Sequence, residues 1–357
     1  MSVGRKFLII RLSAIGDIVH ALPMAKVLKD NFSNCTVDWV TGDACKSLIE
    51  NNPLIDNCYS IPLGEWKKNW LSLKTVKEIC GFNKMLQKNN YDYAFDAHGM
   101  FKSAVILAFC GAKKRVAYKD YREGAVLAAN VLIEPRSKRP HINYHVVKRH
   151  LDMLEEALGI KCENPIARLP ESSKEDKKHV EDILPKVKPI VVFAPATTWD
   201  NKHWAVENWQ KLYSLTKDRA QVVFTGVQKD LELIGQITQG CDKCTILAGK
   251  TNLAQYIETL RRADIVVSPD SSASHLAYAC NSPKIITIFC ATSKNTFAPL
   301  GEDNAAFPCG ESVCIPCHKR KCKYGHKKCT HQTGAEEVFE SISEILSKKP
   351  PKSSRKS

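Results

Sequence analysis

Short runs of apolar and β-branched residues recur along this chain, and the stretches between them carry apolar residues at helical spacing. Strands of this kind, alternating with helices, are typical of parallel sheets that are covered by helices on both faces. The pattern occurs once in each half of the chain, so we predict two doubly wound α/β domains. The predicted strands lie at residues 7–10, 36–40, 93–96, 115–118, 189–194, 221–225, 244–247, 264–268 and 284–289.

A segment rich in proline and charge separates the two sets of strands, at residues 164–189. Its low apolar content predicts a linker. A chain of 357 residues also has the length for two hydrophobic cores. The predicted organisation is a first Rossmann-like domain at 1–165, a linker at 166–188, a second Rossmann-like domain at 189–346 and a basic disordered tail at 347–357.

The formal net charge is +14, and much of the excess lies near the C-terminus, in segments 318–329 and 348–357. A field of this sign attracts polyanions such as nucleic acid, an anionic membrane surface or an acidic lipid headgroup. The apolar run at 7–10 is too short to cross a bilayer, and no signal peptide precedes it. We therefore expect a cytoplasmic protein.

Two common nucleotide-binding motifs are missing from the sequence. Neither half has G-x-G-x-x-G after its first strand, which argues against a dinucleotide-dependent dehydrogenase, because the pyrophosphate of that cofactor needs close approach of the backbone. The sequence also has no G-x-x-x-x-G-K-[ST], so a P-loop nucleotidase is not expected.

Polar residues follow three of the predicted strands, where ligands bind in doubly wound sheets. The segments are LSAIGDIVH (12–20), APATTWDNKHW (194–204) and SPDSSASHLA (268–277). Taken singly, residue type favours a helix N-cap for Asp17 and allows one for Asp270, since Asp is a common capping residue. Taken together, the three segments predict a ligand site built on strand ends.

These segments, with WKKNW (66–70), NYDYAFDAHGMFKSA (90–104) and YREGA (121–125), resemble the ADP-heptose:lipopolysaccharide heptosyltransferases of glycosyltransferase family 9. The chain is most similar to the type that adds the first heptose to the Kdo residues of the inner core. The resemblance implies a GT-B fold, in which two Rossmann-like domains face a cleft, and inverting transfer from ADP-heptose to Kdo-lipid A. It also implies a peripheral location at the inner face of the cytoplasmic membrane, and catalysis that requires no cofactor.

The resemblance further implies roles for individual residues, with the acceptor in the first domain and the donor in the second. Asp17 matches the general base. Donor binding is assigned to Thr197, Thr198, Lys202, Asp270, Ser271, Ser272, Ala273 and His275, and acceptor binding to Lys67, Lys68, Lys102 and Arg122. The alternative to a donor-binding role for His275 is a residue that only packs within its helix. The alternative for the four basic residues is a solvated surface charge.

The sequence departs from the family pattern at three places. Trp199 stands where relatives often carry a charged residue, Ser272 and Ala273 stand where many have Thr-Gly, and Gly64 and Glu65 stand where a longer basic run is common. These changes bear on donor contacts and on the charge of the acceptor site.

Fifteen cysteines in a cytosolic chain favour buried thiols or a metal site over disulfides. In CIPCHKRKCKYGHKKC (314–329), the spacing of Cys314, Cys317, Cys322 and Cys329 allows a structural zinc site. Reduced, unpaired thiols are the alternative. Two other functions stay open at this point: a related transferase that adds a later heptose or another sugar to a cell-envelope glycolipid, and a basic zinc-knuckle protein that binds nucleic acid.

Overall fold

The computed structural model describes residues 4–137, 143–163, 166–241, 243–280, 283–301, 304–308 and 314–348. The chain forms two compact units, Met1–Glu171 and Ser172–Ser357. Each unit contains a six-stranded sheet in which every pair of neighbouring strands is parallel. The prediction of two doubly wound α/β halves is confirmed.

The sheet of the first unit has the strand order β3-β2-β1-β4-β5-β6. Its strands are β1 (Lys6–Ile10), β2 (Thr36–Gly42), β3 (Asn57–Ile61), β4 (Tyr93–Asp96), β5 (Lys114–Tyr118) and β6 (Val131–Ile133). The helices are α1 (Ile15–Ala21), α2 (Pro23–Asn31), α3 (Leu63–Lys68), α4 (Leu73–Gln87), α5 (Phe101–Phe109) and α6 (Val146–Leu158).

The sheet of the second unit has the order β12-β11-β10-β7-β8-β9. Its strands are β7 (Ile190–Phe193), β8 (Gln221–Phe224), β9 (Cys244–Ile246), β10 (Ile265–Pro269), β11 (Lys284–Ile288) and β12 (Ala305–Phe307). The helices are α7 (Lys174–Ile183), α8 (Val206–Thr216), α9 (Leu231–Ile237), α10 (Leu253–Arg262), α11 (Ser272–Cys280), α12 (Lys294–Phe297) and α13 (Ala335–Ser347).

The strand order reverses at the centre of each sheet, between β1 and β4 in the first unit and between β7 and β10 in the second. These central strands are almost wholly buried, with burial on both faces, because helices cover the sheet on either side. Successive connections leave such a point in opposite directions, which opens a crevice beyond the carboxyl ends of the strands. The topology therefore gives each unit one place for a ligand.

Three strands of the structure lie outside the sequence prediction: β3, β6 and β12. All three are sheet edges and are only partly buried. The segment predicted as a linker, 166–188, contains helix α7, which packs against α10 in the second unit. Of the predicted tail, 347–357, the residues from 349 onward lie outside the described part of the chain. In that described part, none of the helices combines the length and apolarity needed to span a membrane.

Candidate active site

Asp17 lies beyond the end of β1, in the first turn of α1. Its Oδ2 accepts the Arg11 Nη2 at 2.6 Å and the Ala14 backbone N–H at 3.3 Å. The carboxylate thus supports the helix start from its third residue, while Ala14 occupies the N-cap position. Both contacts use Oδ2, and no hydrogen bond or ion pair to Oδ1 is found among the described residues. The side chain is 45% exposed, so a ligand can reach this oxygen. Asp17 combines a capping contact with an oxygen that is open to a ligand.

The charge state of Asp17 is set by two opposing effects. Desolvation raises the pKa of the carboxyl, but the Arg11 guanidinium and the Ala14 N–H outweigh it, so that the pKa falls below its usual 3.8. The group is ionised at neutral pH. An ionised carboxylate with one open oxygen can accept a proton from a hydroxyl.

Asp96 ends β4, across the strand-order reversal from Asp17, and it lies outside the three segments that the sequence pattern marks. Its Oδ1 accepts the backbone N–H groups of His98 and Gly99, both at 2.9 Å, and its Oδ2 accepts the Ser103 hydroxyl at 3.0 Å. Burial raises the pKa of Asp96 to about 6 even so. Gly99 has φ +71°, and a Cβ there would lie 2.6 Å from the Tyr121 ring, so only glycine fits this turn. The signal in the sequence was an acid at a strand end followed by glycine.

The basic residues predicted for the acceptor fall into two groups. Lys102 donates to the Ser13 hydroxyl at 3.3 Å, and burial together with the nearby Arg11 and Lys67 charges lowers the pKa of its ammonium. The Asp17 charge acts on the same ammonium in the opposite sense and raises its pKa. Lys68 and Arg122 are exposed and form no ion pair with any residue in the described ranges.

In the second unit, Lys202 follows β7 and Asp270 follows β10, so the strand-order reversal brings them together. The Lys202 Nζ lies 2.7 Å from the Asp270 Oδ2. The Thr292 hydroxyl donates to the same oxygen at 2.5 Å, and the His275 Nε2 lies 3.5 Å from Oδ1. Asp270 is 2% exposed. Desolvation opposes the charge on Asp270, but His275 and Lys202 hold the pKa of its carboxyl well below the usual range.

The other predicted donor residues line the same edge of this sheet. The Thr197 N–H donates to the His203 Nε2 at 3.4 Å, and Thr198 is exposed. At the start of α11, the Ala273 N–H donates to the Ser271 hydroxyl at 3.3 Å, so one of the three predicted backbone donors already has a partner. Ser272 opens the helix. Thr292 was missed because it lies after β11, outside the three segments that the sequence pattern marks.

The segment with the four predicted metal ligands, residues 314–329, is termed the cysteine loop below. Cys314, Cys317 and Cys322 are partly exposed, and Cys329 is 8% exposed. Four successive backbone N–H groups, those of residues 324–327, face the Cys322 Sγ. Among the described residues, no group of three or more His, Cys, Asp or Glu side chains is arranged to hold a metal ion. The zinc site stays a prediction.

Two Rossmann-like units, each with a strand-order reversal at its centre, are the components of the GT-B fold, and the fold prediction is confirmed by solved structures. A transferase of family 9 from Veillonella parvula gives a TM-score of 0.82 at 16% identity, covering 96% of this chain and 97% of that one. E. coli heptosyltransferase WaaC with ADP gives 0.75 at 23% identity, covering 95% and 99%.

The family model described as glycosyltransferase family 9 (heptosyltransferase) matches residues 79–328. The chain therefore belongs to this family and is a glycosyltransferase. A protein of Pseudomonas aeruginosa named lipopolysaccharide heptosyltransferase 1 is 26% identical over 89% of this chain and 88% of its own length. The resemblance stated from the motifs is confirmed, and it favours an enzyme over a nucleic-acid-binding protein.

Proposed function

We propose that this chain transfers heptose, with inversion, from ADP-heptose to the Kdo residues of the lipopolysaccharide inner core, and that Asp17 is the general base. The observation that carries the proposal is the open Oδ1 of Asp17 at the strand-order reversal of the first unit. Relatives named lipopolysaccharide heptosyltransferase 1 support the substrate class. Structural neighbours that hold ADP and ADP-2-deoxy-2-fluoro heptose support the donor.

The proposed step is a single displacement at the anomeric carbon. The acceptor hydroxyl gives its proton to the Asp17 Oδ1 while its oxygen forms the new glycosidic bond. The bond from the anomeric carbon to the β-phosphate oxygen breaks, and ADP leaves with that electron pair. Because attack and departure occur on opposite faces of the sugar, the anomeric configuration inverts, and one carboxylate is enough.

Donor binding is proposed for the second unit. Lys202 offers an ammonium to the diphosphate, and Thr197 and Thr198 offer hydroxyls. The N–H groups at the start of α11, from Ser271 to Ala273, lie at the positive end of the helix dipole. Asp270 is proposed to contact the heptose hydroxyls, and its pairing with Lys202 and His275 keeps it charged for that role.

Acceptor binding is proposed for the first unit. The Kdo carboxylates and lipid A phosphates are anionic, and Lys102, Lys67, Lys68 and Arg122 carry the matching charge. Lys102 has the firmest position of the four, since its ammonium donates to the Ser13 hydroxyl and lies within electrostatic reach of Asp17.

A lipid-linked acceptor lies in a membrane, so the enzyme must bind a membrane surface to reach it. We propose that this chain binds the cytoplasmic face of the inner membrane. Next to Lys67 and Lys68, the large apolar side chains of Trp70, Leu71 and Leu73 are 57%, 74% and 81% exposed. Apolar side chains flanked by lysines bind anionic bilayers through both burial and charge. Co-sedimentation with anionic vesicles, lost in a Leu71→Ser/Leu73→Ser variant and absent with zwitterionic vesicles, tests this contact.

The deciding experiment for the reaction is mass spectrometry of the product. Purified protein is incubated with ADP-heptose and a Kdo-lipid A acceptor, and ADP release is followed in parallel. The proposal expects an acceptor heavier by one heptose, with ADP released only when the acceptor is present. Transfer only to an acceptor that already carries heptose would instead identify an enzyme for a later step, and transfer of another sugar would exclude the donor.

A further inference from the structure

The cysteine loop packs against the segment that carries the predicted phosphate ligands, residues 197–204, termed the donor loop below. The Asn201 backbone N–H donates to the Arg320 carbonyl at 3.3 Å, and its side-chain amide donates to the Lys319 carbonyl at 3.1 Å. The Lys327 Nζ lies 2.7 Å from the Asp200 Oδ1. The two loops are therefore joined by backbone and side-chain contacts inside one unit, which fix the backbone of Lys319 and Arg320 relative to the donor loop.

Trp199 is the platform on which the two loops bring their charges together. The Lys202 Nζ lies 4.7 Å from the centroid of the Trp199 ring, and the Arg320 Cζ lies 5.7 Å from the same centroid. Both distances are within the range of cation–π attraction. One aromatic ring thus holds an ammonium from the donor loop and a guanidinium from the cysteine loop.

The two cations differ in how much of their charge is free for a ligand. Lys202 is 16% exposed and is neutralised by the buried Asp270 carboxylate. Arg320 is exposed and forms no ion pair with a carboxylate in the described part of the chain. A diphosphate that met only the Lys202–Asp270 pair would find no net positive charge there. Arg320 supplies the charge that this pair lacks.

A second group of the cysteine loop points to a ligand at the same place. The His318 backbone N–H donates to the Ala291 carbonyl at 2.9 Å, which fixes the residue beside β11. Its Nε2 is buried and has no hydrogen-bond partner among the described residues. The ring lies within electrostatic reach of Lys202 and Asp270. An unpaired polar atom in such a place is costly unless a ligand satisfies it.

We propose that the cysteine loop completes the donor site, with Arg320 binding the diphosphate of the nucleotide sugar and His318 hydrogen-bonding the same ligand. This inference rests on the proposed function only in taking the donor to be a nucleoside diphosphate sugar. The planar guanidinium binds phosphate oxygens through two parallel hydrogen bonds. Its charge also stabilises the leaving diphosphate as the glycosidic bond of the donor breaks. Trp199 is a positioning residue that acts through Arg320 and Lys202.

The test is calorimetric binding of ADP to wild-type protein and to Arg320→Ala. We expect affinity to fall about tenfold to a hundredfold, the usual loss for a charge-assisted hydrogen bond. Lys323→Ala is the matched control, because the Lys323 Nζ also lies over an aromatic ring, that of Tyr324 at 5.5 Å, but among the described residues it has no hydrogen bond, ion pair or cation–π contact with the donor loop. The control is expected to bind ADP within about twofold of wild type, the scale on which exposed charges act.

Two further measurements separate a binding role from a structural one. Trp199→Leu and Arg320→Ala are combined in a double-mutant cycle, and the summed losses in ADP affinity are expected to exceed the loss in the double variant, because the part of the Trp199 effect that acts through the guanidinium is counted in both. His318→Ala is expected to weaken ADP binding, and His318→Asn, which restores a polar side chain, to recover part of it. Thermal melting checks that each variant folds.

The outcomes distinguish this inference from the proposed function. Unchanged ADP affinity in Arg320→Ala, with wild-type protein binding ADP, overturns the inference and leaves the function intact. If wild-type protein binds another nucleoside diphosphate instead of ADP, the proposed donor is wrong, and a loss of that nucleotide in Arg320→Ala supports the inference. A wild-type protein that binds no nucleoside diphosphate overturns both.

Discussion

The two units carry the same topology but place opposite charges at corresponding points. Each carries a buried acid at the end of the second of its two central strands, Asp96 as the last residue of β4 and Asp270 directly after β10. The loop after the first central strand differs: it carries Asp17 in the first unit and Lys202 in the second. The first unit therefore presents a proton acceptor, and the second presents cations suited to phosphate. One fold yields two chemistries through a few residues at its strand ends.

The two buried acids also keep their charge in different ways. Asp96 is held by backbone N–H groups and a hydroxyl of its own turn, so its surroundings are neutral donors. Asp270 is held by Lys202 and His275 together with a hydroxyl. Cationic partners hold a carboxylate ionised more strongly than neutral donors do, and the pKa values of the two carboxyls move in opposite directions. Asp96 organises a turn, whereas Asp270 organises a charged site.

The largest effect is expected from removing the charged acid of the second unit. Asp270→Ala leaves the Lys202 ammonium unpaired in a site where it is only 16% exposed, and breaking a buried pair in this way costs about 3–5 kcal/mol of unfolding free energy. Urea unfolding followed by tryptophan fluorescence measures it, since Trp204 and Trp209 lie in the core of the same unit.

Glu336→Ala is the control for this variant, because its partner Lys211 and the glutamate are both exposed. Its unfolding midpoint is expected to match that of wild type. If Asp270→Ala unfolded at the same urea concentration as the control, Asp270 would not be holding this site together. Asp270→Asn, which keeps the shape, then reports the sugar contact through the KM for ADP-heptose.

The open acid of the first unit gives the next effect. Asp17→Ala removes the proposed base, so kcat is expected to fall at least about 100-fold while ADP affinity stays unchanged, because the donor binds to the other unit. Single-turnover transfer and calorimetry measure the two quantities. A variant that kept a tenth of wild-type turnover would exclude a base at this position.

Lys102 and Arg122 test how the first unit recognises its acceptor. Lys102→Ala removes an ammonium that donates to Ser13 within electrostatic reach of Asp17, so the KM for the acceptor is expected to rise about tenfold, as for one lost charge-assisted contact. Arg122→Ala removes an exposed charge with no ion-pair partner in the described chain, and a smaller rise is expected. An equal rise in KM for both variants would show that nearness to Asp17 does not determine acceptor affinity. If KM changed in neither variant, both residues would be solvated surface charges without a role in acceptor binding.

Arg11 sets the pH range over which the first unit works. The guanidinium lowers the pKa of Asp17 below 3.8, so the charged base is present at all higher pH values and is lost only as the pH falls through that lowered value. Arg11→Gln removes the cation, and the acid limb of kcat/KM is expected to move upward by about one pH unit or more. A limb that did not move would mean that another group controls it.

The sequence was sufficient for the inner strands and for the edge strand β9, but not for the other three edge strands. Strands β1, β7 and β10 are buried on both faces, which makes each a continuous apolar run. The edge strands β3, β6 and β12 lack such a run, because one side of each meets solvent or loops, and so they carried no signal. Low burial also explains why helix α7 was not predicted and its segment was interpreted as a linker. The helix buries only Val180, so its sequence is mostly polar.

The candidate site divides in a similar way. Asp17, Lys202 and Asp270 follow strands that the apolar pattern marks, so their neighbourhood could be predicted from topology alone. Arg11 pairs with Asp17 inside the segment after β1, and Thr292 reaches Asp270 from the loop after the neighbouring strand β11, so neither contact is marked by an apolar run. The packing of the cysteine loop on the donor loop joins residues more than a hundred positions apart, which spacing along one sequence does not encode.

The smallest effect on the chemistry is expected from the four cysteines, which are predicted to bind a structural zinc ion and not to contact the donor. Four backbone N–H groups face the Cys322 Sγ, an arrangement that favours a thiolate, and thiolates are the form that binds zinc. Protein purified without chelator is expected to contain one zinc per chain, with Cys314, Cys317, Cys322 and Cys329 protected from a thiol reagent. Chelation is expected to lower the melting temperature and to weaken ADP binding less than Arg320→Ala does, because the contacts of Asn201 and Asp200 still hold the loop. Substoichiometric zinc with all four thiols freely reactive in the folded protein would leave them as reduced cysteines.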